Sequence, residues 1–140
     1  VYRAREPFDP EKIHEFFNQE WPGVVRTKGF FWLCSRPDFV GELSQAGAFV
    51  RHRGIGRWWA AIPKSHWPDG DEFENIIKQY WTQDYGDRRQ EIVIIGLKDQ
   101  MDQKTIRRKL DECLVKDYLS APDNFLKSTD PFPQWLLEAT

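Results

Sequence analysis

From Val1 to Arg5 apolar and polar side chains alternate with the period of a strand. The period changes at Asp9-Pro10, where a carboxylate cap precedes a proline at the first helical position. Ile13, Phe16, Phe17 and Trp21 then lay one apolar face along a helix from Pro10 to about Glu20, and Pro22-Gly23 stops it. Alternation returns in Val24 to Ser35, with Val25, Thr27, Phe31 and Leu33 on one face and Arg26, Lys28, Phe30, Trp32 and Cys34 on the other. Arg36-Pro37-Asp38 is a turn, and Val40 to about Arg53 reads as a second, weaker strand. Its small residues Gly41, Ala46, Gly47 and Ala48 allow a bulge or the close packing of a ring. Trp58 to Ile62 offers one more short strand, which Pro63 confines to an edge.

Asp69-Gly70-Asp71 supplies caps for a second helix. Phe73, Ile76, Ile77, Tyr80 and Trp81 give it the cleanest helical stripe of the chain, and Gly86 is its expected end. Glu91 to Leu97 is continuously apolar, as a strand covered on both sides would be. Asp102 caps a third helix with Ile106, Leu110, Cys113 and Leu114 inward and Lys104, Arg107, Arg108 and Lys109 on a solvated face. The tail from Ala121 to Trp135 has no period, but its aromatic residues predict that it lies along the domain. The order β-α-β-β-α-β-α is that of an α+β, ferredoxin-like split β-α-β domain. It predicts a mostly antiparallel four-stranded sheet, helices on one face and an extra C-terminal helix.

The 140 residues suit one domain (1–140), large enough to bury a core without metal or disulfide support. Twenty Lys and Arg against 22 Asp and Glu, intermixed along the chain, give a net charge of −2 and none of the broad positive field that nucleic acid requires. No apolar run is long enough to span a bilayer and no signal-peptide pattern opens the chain, so neither nucleic acid nor membrane is an expected partner. Cys34 and Cys113 make no metal-ligand spacing and fall in apolar patterns, the mark of inert, reduced thiols and a cytoplasmic protein. The abrupt opening on a strand, with Met101 the single methionine, predicts a unit cut from a longer chain with an N-terminal partner domain.

Three constellations carry candidate chemistry. The block Gly86-Asp87-Arg88-Arg89-Gln90-Glu91 crowds five polar side chains between a helix stop and a strand, which favours a structural lock over an anion site. Arg57-Trp58-Trp59, with Trp67, brings large amphipathic rings to a loop-rich region, where they either roof the sheet or face a partner. Among the three histidines, His52 and His66 in the irregular region are the candidates for a labile metal site, and His14 reads as a helix-packed side chain. No P-loop, dinucleotide fingerprint or nucleophile with a base beside it occurs, so the chain itself is not expected to be an enzyme.

Several ordered blocks together resemble one family. Tyr2-Arg3-Ala4-Arg5-x-Pro7-Phe8, Trp21-Pro22-Gly23-Val24-Val25-Arg26-x-Lys28-Gly29-Phe30-Phe31-Trp32-Leu33, Ser44-Gln45-Ala46-Gly47, Gly56-Arg57-Trp58-Trp59-Ala60-Ala61, the Gly86 block and Asp130-Pro131-Phe132-Pro133-Gln134-Trp135 look like the C-terminal domain of CobW-type proteins. That family consists of P-loop GTPases acting as metallochaperones or metal-insertion factors in zinc homeostasis, cobalt delivery for cobalamin synthesis and nitrile hydratase activation. Asp9 stands where relatives often carry His, and the histidine-rich stretch of some relatives is missing. The resemblance implies an accessory domain with no cofactor of its own, in a full-length protein that uses GTP, magnesium and zinc or cobalt. Its implied partners are its own N-terminal GTPase domain, a client metalloprotein or a second copy of the chain. Arg26, Lys28, Arg57, Trp58, Trp59, Asp87, Arg88 and Arg89 are the candidate interaction residues. Two other readings remain open: a small ligand- or metal-binding domain built on His52, His66 and the tryptophans, and a purely structural or oligomerisation domain.

Overall fold

The computed structural model describes residues 1–135. Five strands, β1 (Tyr2–Ala4), β2 (Val24–Phe31), β3 (Phe39–Ala46), β4 (Phe49–Arg57) and β5 (Gln90–Gly96), form one sheet in the order β1-β5-β2-β3-β4. Every neighbouring pair is antiparallel. Because β1 and β2 both run against β5, they are parallel to each other with β5 between them. Helix α1 (Pro10–Phe17) connects them, which is the expected split β-α-β unit. Asp9 caps α1 by accepting from the Lys12 amide at 3.0 Å, with Pro10 at the first helical position.

The expected α+β class therefore holds, but with five strands where four were expected. The stretch Val40 to Arg53 contains a hairpin. Ala46 pairs with Phe49 across the two residues Gly47-Ala48, and Gly47 has φ +60° while Ala48 does not enter the positive-φ region. This is the signature of a type II′ turn, whose twist matches that of paired strands. A bulge does occur, between Val40 and Gly41. Trp58 to Ile62 is no strand: Trp59–Ala61 is a 3-10 turn.

Helix α3 (Gln103–Glu112), capped by Asp102 on the Thr105 amide at 3.1 Å, packs beside α1 on one face of the sheet. Between them lie Tyr2, Ile13, Phe16, Phe17, Phe31, Leu43, Ile92 and Leu110. The tail completes this layer, with Phe132 buried against the same cluster and Trp135 lying on the bare backbone of Gly54 in β4. Arg36 ties the tail down. Its guanidinium meets both Asp130 carboxylate oxygens at 2.8 and 3.1 Å, donates to the Phe132 and Pro133 carbonyls and lies over the Trp135 ring.

Helix α2 (Asp71–Tyr80) departs from the one-face expectation. Ile76, Ile77 and Tyr80 border a groove with Phe30, and Phe30 points away from the face that holds Phe31. The helix also stops one turn early, because Trp81 is already extended and Thr82 to Gly86 closes a separate turn with paired backbone bonds at 2.9 Å. Gly86 is left-handed (φ +65°) as expected, but in that turn rather than at the helix end.

Candidate functional site

The Gly86 block is a lock built by five side chains that all bind backbone. Asp87, 4% exposed, accepts from the Trp59 and Ala60 amides at 2.9 Å each and so caps the 3-10 turn that follows β4. Arg88 donates to the Pro37 carbonyl at 2.6 Å and reaches Asp38 at 3.6 Å. Arg89 lies over Tyr80, its guanidinium carbon 4.0 Å from the ring centre, with Phe30 at 4.8 Å, and donates to the Asp87 carbonyl. Burial pushes the Arg89 guanidinium below its ordinary pKa, opposed by Glu91. Gln90 is fully buried: its amide nitrogen donates to the Trp32 and Glu6 carbonyls, and its oxygen accepts from the Trp32 amide at 2.9 Å. Arg5 closes the corner from β1 by donating to the Tyr80 carbonyl at 2.7 Å. The guanidiniums thus spend donors on carbonyls, rings and the nearby Asp38 and Glu91, while the Arg89 Nε atom is buried without a hydrogen-bond partner.

The tryptophan segment divides in the same way. Trp58 is 3% exposed, packs on Phe30 and donates to the Phe39 carbonyl at 3.0 Å. Trp59, half-buried, stacks edge-on with Phe73 of α2 at 4.9 Å, and Trp67 donates to the Trp59 and Ile62 carbonyls. Arg57 is exposed and lies over Phe39.

Arg26 and Lys28 belong to a different place, the sheet face opposite α1 and α3. The register builds it row by row. Ile95, Arg26, Ala46 and Phe49 lie side by side, and Val93, Lys28, Ser44 and Arg51 form the next row. Beyond them Glu91, Phe30, Glu42 and Arg53 make a third row, near which α2 packs. In this third row the acids are engaged, Glu91 with Arg3 and Glu42 with Arg53. In the first two rows there is no acid, and among the described residues Arg26, Lys28 and Arg51 have no carboxylate within ion-pair distance. Phe49 is 82% exposed, Ile95 56% and Val93 42%. An open sheet face carrying aliphatic side chains between unpaired cations, on a chain of net charge −2, has the make-up of a protein interface. Sequence reasoning found Arg26 and Lys28 but not Val93, Ile95 or Arg51, because their adjacency depends on strand order and register.

The histidines regroup as well. His66 lies exposed in the 3-10 turn Lys64–His66, whereas the imidazole beside His52 is that of His14, with ring centres 5.9 Å apart. Phe132 packs edge-on against both. Among the described residues no group of three or more His, Cys, Asp or Glu side chains is placed to hold a metal ion. Burial pushes the Cys34 and Cys113 thiols up to about 11, which makes poor nucleophiles of both.

With this geometry the comparisons with known proteins agree in family. Residues 1–114 match the model of the cobalamin synthesis protein cobW C-terminal domain. The chain belongs to that family. Among curated relatives, the zinc-regulated GTPase metalloprotein activator 1 of Dictyostelium discoideum is 35% identical over 120 residues, covering 84% of this chain and 25% of the relative. A zinc chaperone of Mycobacterium tuberculosis is 32% identical over 136 residues, covering 96% of this chain and 34% of the relative. This cobW C-terminal domain thus spans a quarter to a third of the length of the relatives it matches. No solved structure matches it. No helix among the described residues is long and apolar enough to cross a membrane.

Proposed function

We propose that this chain is the C-terminal accessory domain of a GTP-dependent metallochaperone that handles zinc, and that it works by docking rather than by turnover. The observation that carries the reading is the family match over residues 1–114, joined to relatives named for zinc and GTPase activity of which the chain spans a minor part. In this reading the full-length, cytoplasmic protein supplies the nucleotide site with GTP and magnesium, and zinc is its cargo. The docking surface is the open face of Arg26, Lys28, Arg51, Val93 and Ile95, and its partner is the GTPase domain of the same polypeptide. The Gly86 corner acts behind it, through Arg88 and Arg89, by fixing the junction between α2 and β5.

The test is charge reversal on the open face. Arg26→Glu with Lys28→Glu in the full-length protein should leave folding intact while changing GTP hydrolysis or zinc delivery to a client. Hydrolysis and delivery both indistinguishable from the unsubstituted protein would remove the open face from the docking role.

A further inference from the structure

We propose that His14 and His52 form a binding site for a divalent borderline cation, zinc foremost, within this domain. The two imidazoles come from different elements, α1 and β4, 38 positions apart in sequence, and the fold sets their ring centres 5.9 Å apart. Zinc–nitrogen bonds of about 2.0–2.1 Å put the centres of two imidazoles sharing a tetrahedral zinc roughly 5.2 Å apart, and wider angles bring them close to 6 Å.

The surroundings are those of ligands rather than of ion-paired side chains. Neither histidine meets a carboxylate among the described residues. The His52 Nδ1 atom is buried with no hydrogen-bond partner, an unsatisfied group of the kind a bound ion or water accounts for. Asn18, one turn after His14, holds the His14 Nδ1 atom at 3.2 Å. Turned over, its amide oxygen accepts from that nitrogen and leaves Nε2 free to coordinate, the outer-shell arrangement typical of metal-bound histidine. Arg36, which donates to the carbonyl of Phe132, also lies near the pair. Arg36 opposes a cation, but its own charge is met by both oxygens of Asp130.

Phe132, buried, closes the inner side of the pair, and Phe17 packs beside His52. An ion therefore approaches from the side away from Phe132. Two imidazoles leave coordination positions open for water or for an incoming ligand. Glu11, exposed and three residues before His14, shares its helix face. A site of this kind binds weakly and exchanges readily. It lies on the face of the sheet opposite Arg26 and Lys28, so it neither requires nor competes with docking there.

The experiment is titration of the 140-residue chain with zinc chloride, followed by calorimetry and by imidazole carbon–proton NMR, with magnesium chloride as control. Zinc should shift the His14 and His52 resonances saturably, leave His66 in place, and magnesium should do neither. His14→Asn and His52→Asn should each weaken zinc binding at least about tenfold, with His66→Asn unchanged. Should His52→Asn fail to fold, the resonances of the unsubstituted chain and His14→Asn decide. No shift of His14 and His52 at millimolar zinc, or an unchanged response in the double variant, overturns the site.

Discussion

Gln90 offers the sharpest test of the claim that the Gly86 block is a lock. Its side chain is fully buried and makes three bonds to backbone: it accepts from the Trp32 amide at 2.9 Å and donates to the Trp32 carbonyl at 2.9 Å and the Glu6 carbonyl at 3.1 Å. Gln90→Leu keeps the bulk and removes all three. The Trp32 amide is then buried without a partner, at about 1–3 kcal/mol, whereas the Trp32 carbonyl keeps the Phe8 amide at 3.0 Å. With about 1 kcal/mol for each of the two donated bonds, the loss comes to roughly 3–5 kcal/mol, a large part of an ordinary domain's stability. In urea, followed by tryptophan fluorescence, the midpoint should fall by roughly 2 M at a slope near 1.5–2 kcal/mol/M. Gln90→Glu separates hydrogen bonding from packing. The introduced carboxylate would face two carbonyl oxygens, so its folded pKa rises above the unfolded value of about 4.3. The folded state then binds the extra proton more tightly. Stability of that variant is retained below the unfolded value and lost as pH rises through the folded one, so its deficit against the unsubstituted protein should be smaller at pH 4 than at pH 7. A Gln90→Leu loss under about 0.5 kcal/mol, or a Gln90→Glu deficit that ignores pH, would refute the lock.

Asp130→Ala should free the tail, since one carboxylate holds Arg36, the Ser35 hydroxyl at 2.6 Å and the Phe132 amide at 2.9 Å. The expected loss is about 2–3 kcal/mol, with faster proteolytic cleavage between Phe125 and Trp135. Arg26→Glu with Lys28→Glu, both exposed and without ion-pair partners among the described residues, should change the urea midpoint by no more than about 0.5 kcal/mol in free energy; a larger loss would make the open face structural. Cys34 and Cys113, raised from 9.0 to about 11, keep their protons in the folded chain while the unfolded chain gives them up. Stability should therefore fall between about pH 9 and 11, by at most about 1.4 kcal/mol per pH unit for each thiol, and Cys→Ser at both positions should flatten that slope. His52 is pushed below 6.5 by burial and His14, so the unfolded chain binds the proton first. Stability should decline as pH drops below about 6.5, and His52→Asn should remove that decline.

What the sequence made legible was local. Asp9-Pro10 and Asp102 announce caps that the structure contains, and Ile13, Phe16, Phe17 and Leu110 face the core as their spacing requires. The misreadings share one cause. Ala46-Gly47-Ala48 suits a bulge or a tight turn equally well, and which one forms depends on whether Val50, His52 and Gly54 gain more by pairing back on β3 than by running on. That gain is a property of the sheet and of the Trp135 ring resting on Gly54. In the same way Trp81 completes a helical stripe in sequence, yet the turn from Thr82 to Gly86 takes the chain away, because Arg5 and Asp87 bind the backbone around that corner.

The candidate surfaces follow the same division. Arg88 and Arg89 were conspicuous in sequence because they stand together, and standing together is what a corner needs to bind several carbonyls at once. Conspicuous charge was therefore spent on structure. Arg26, Lys28 and Arg51 are scattered across two strands, and only the register places them in adjacent rows with Val93 and Ile95. The His14–His52 pair is more distant still, since it needs α1 to cross the face that β4 completes. A hairpin misread as one strand removes β4, and with it both the third cation of the open face and the second imidazole. The two surfaces, on opposite sides of one sheet, thus depend on the same turn at Gly47. A substitution that strained the φ of +60° there, Gly47→Val for instance, should weaken zinc binding at His52 and docking at Arg51 together, although neither residue is touched. Both left intact would show that β4 holds its register without the turn, and loss of one alone would show that the two surfaces do not depend on it together.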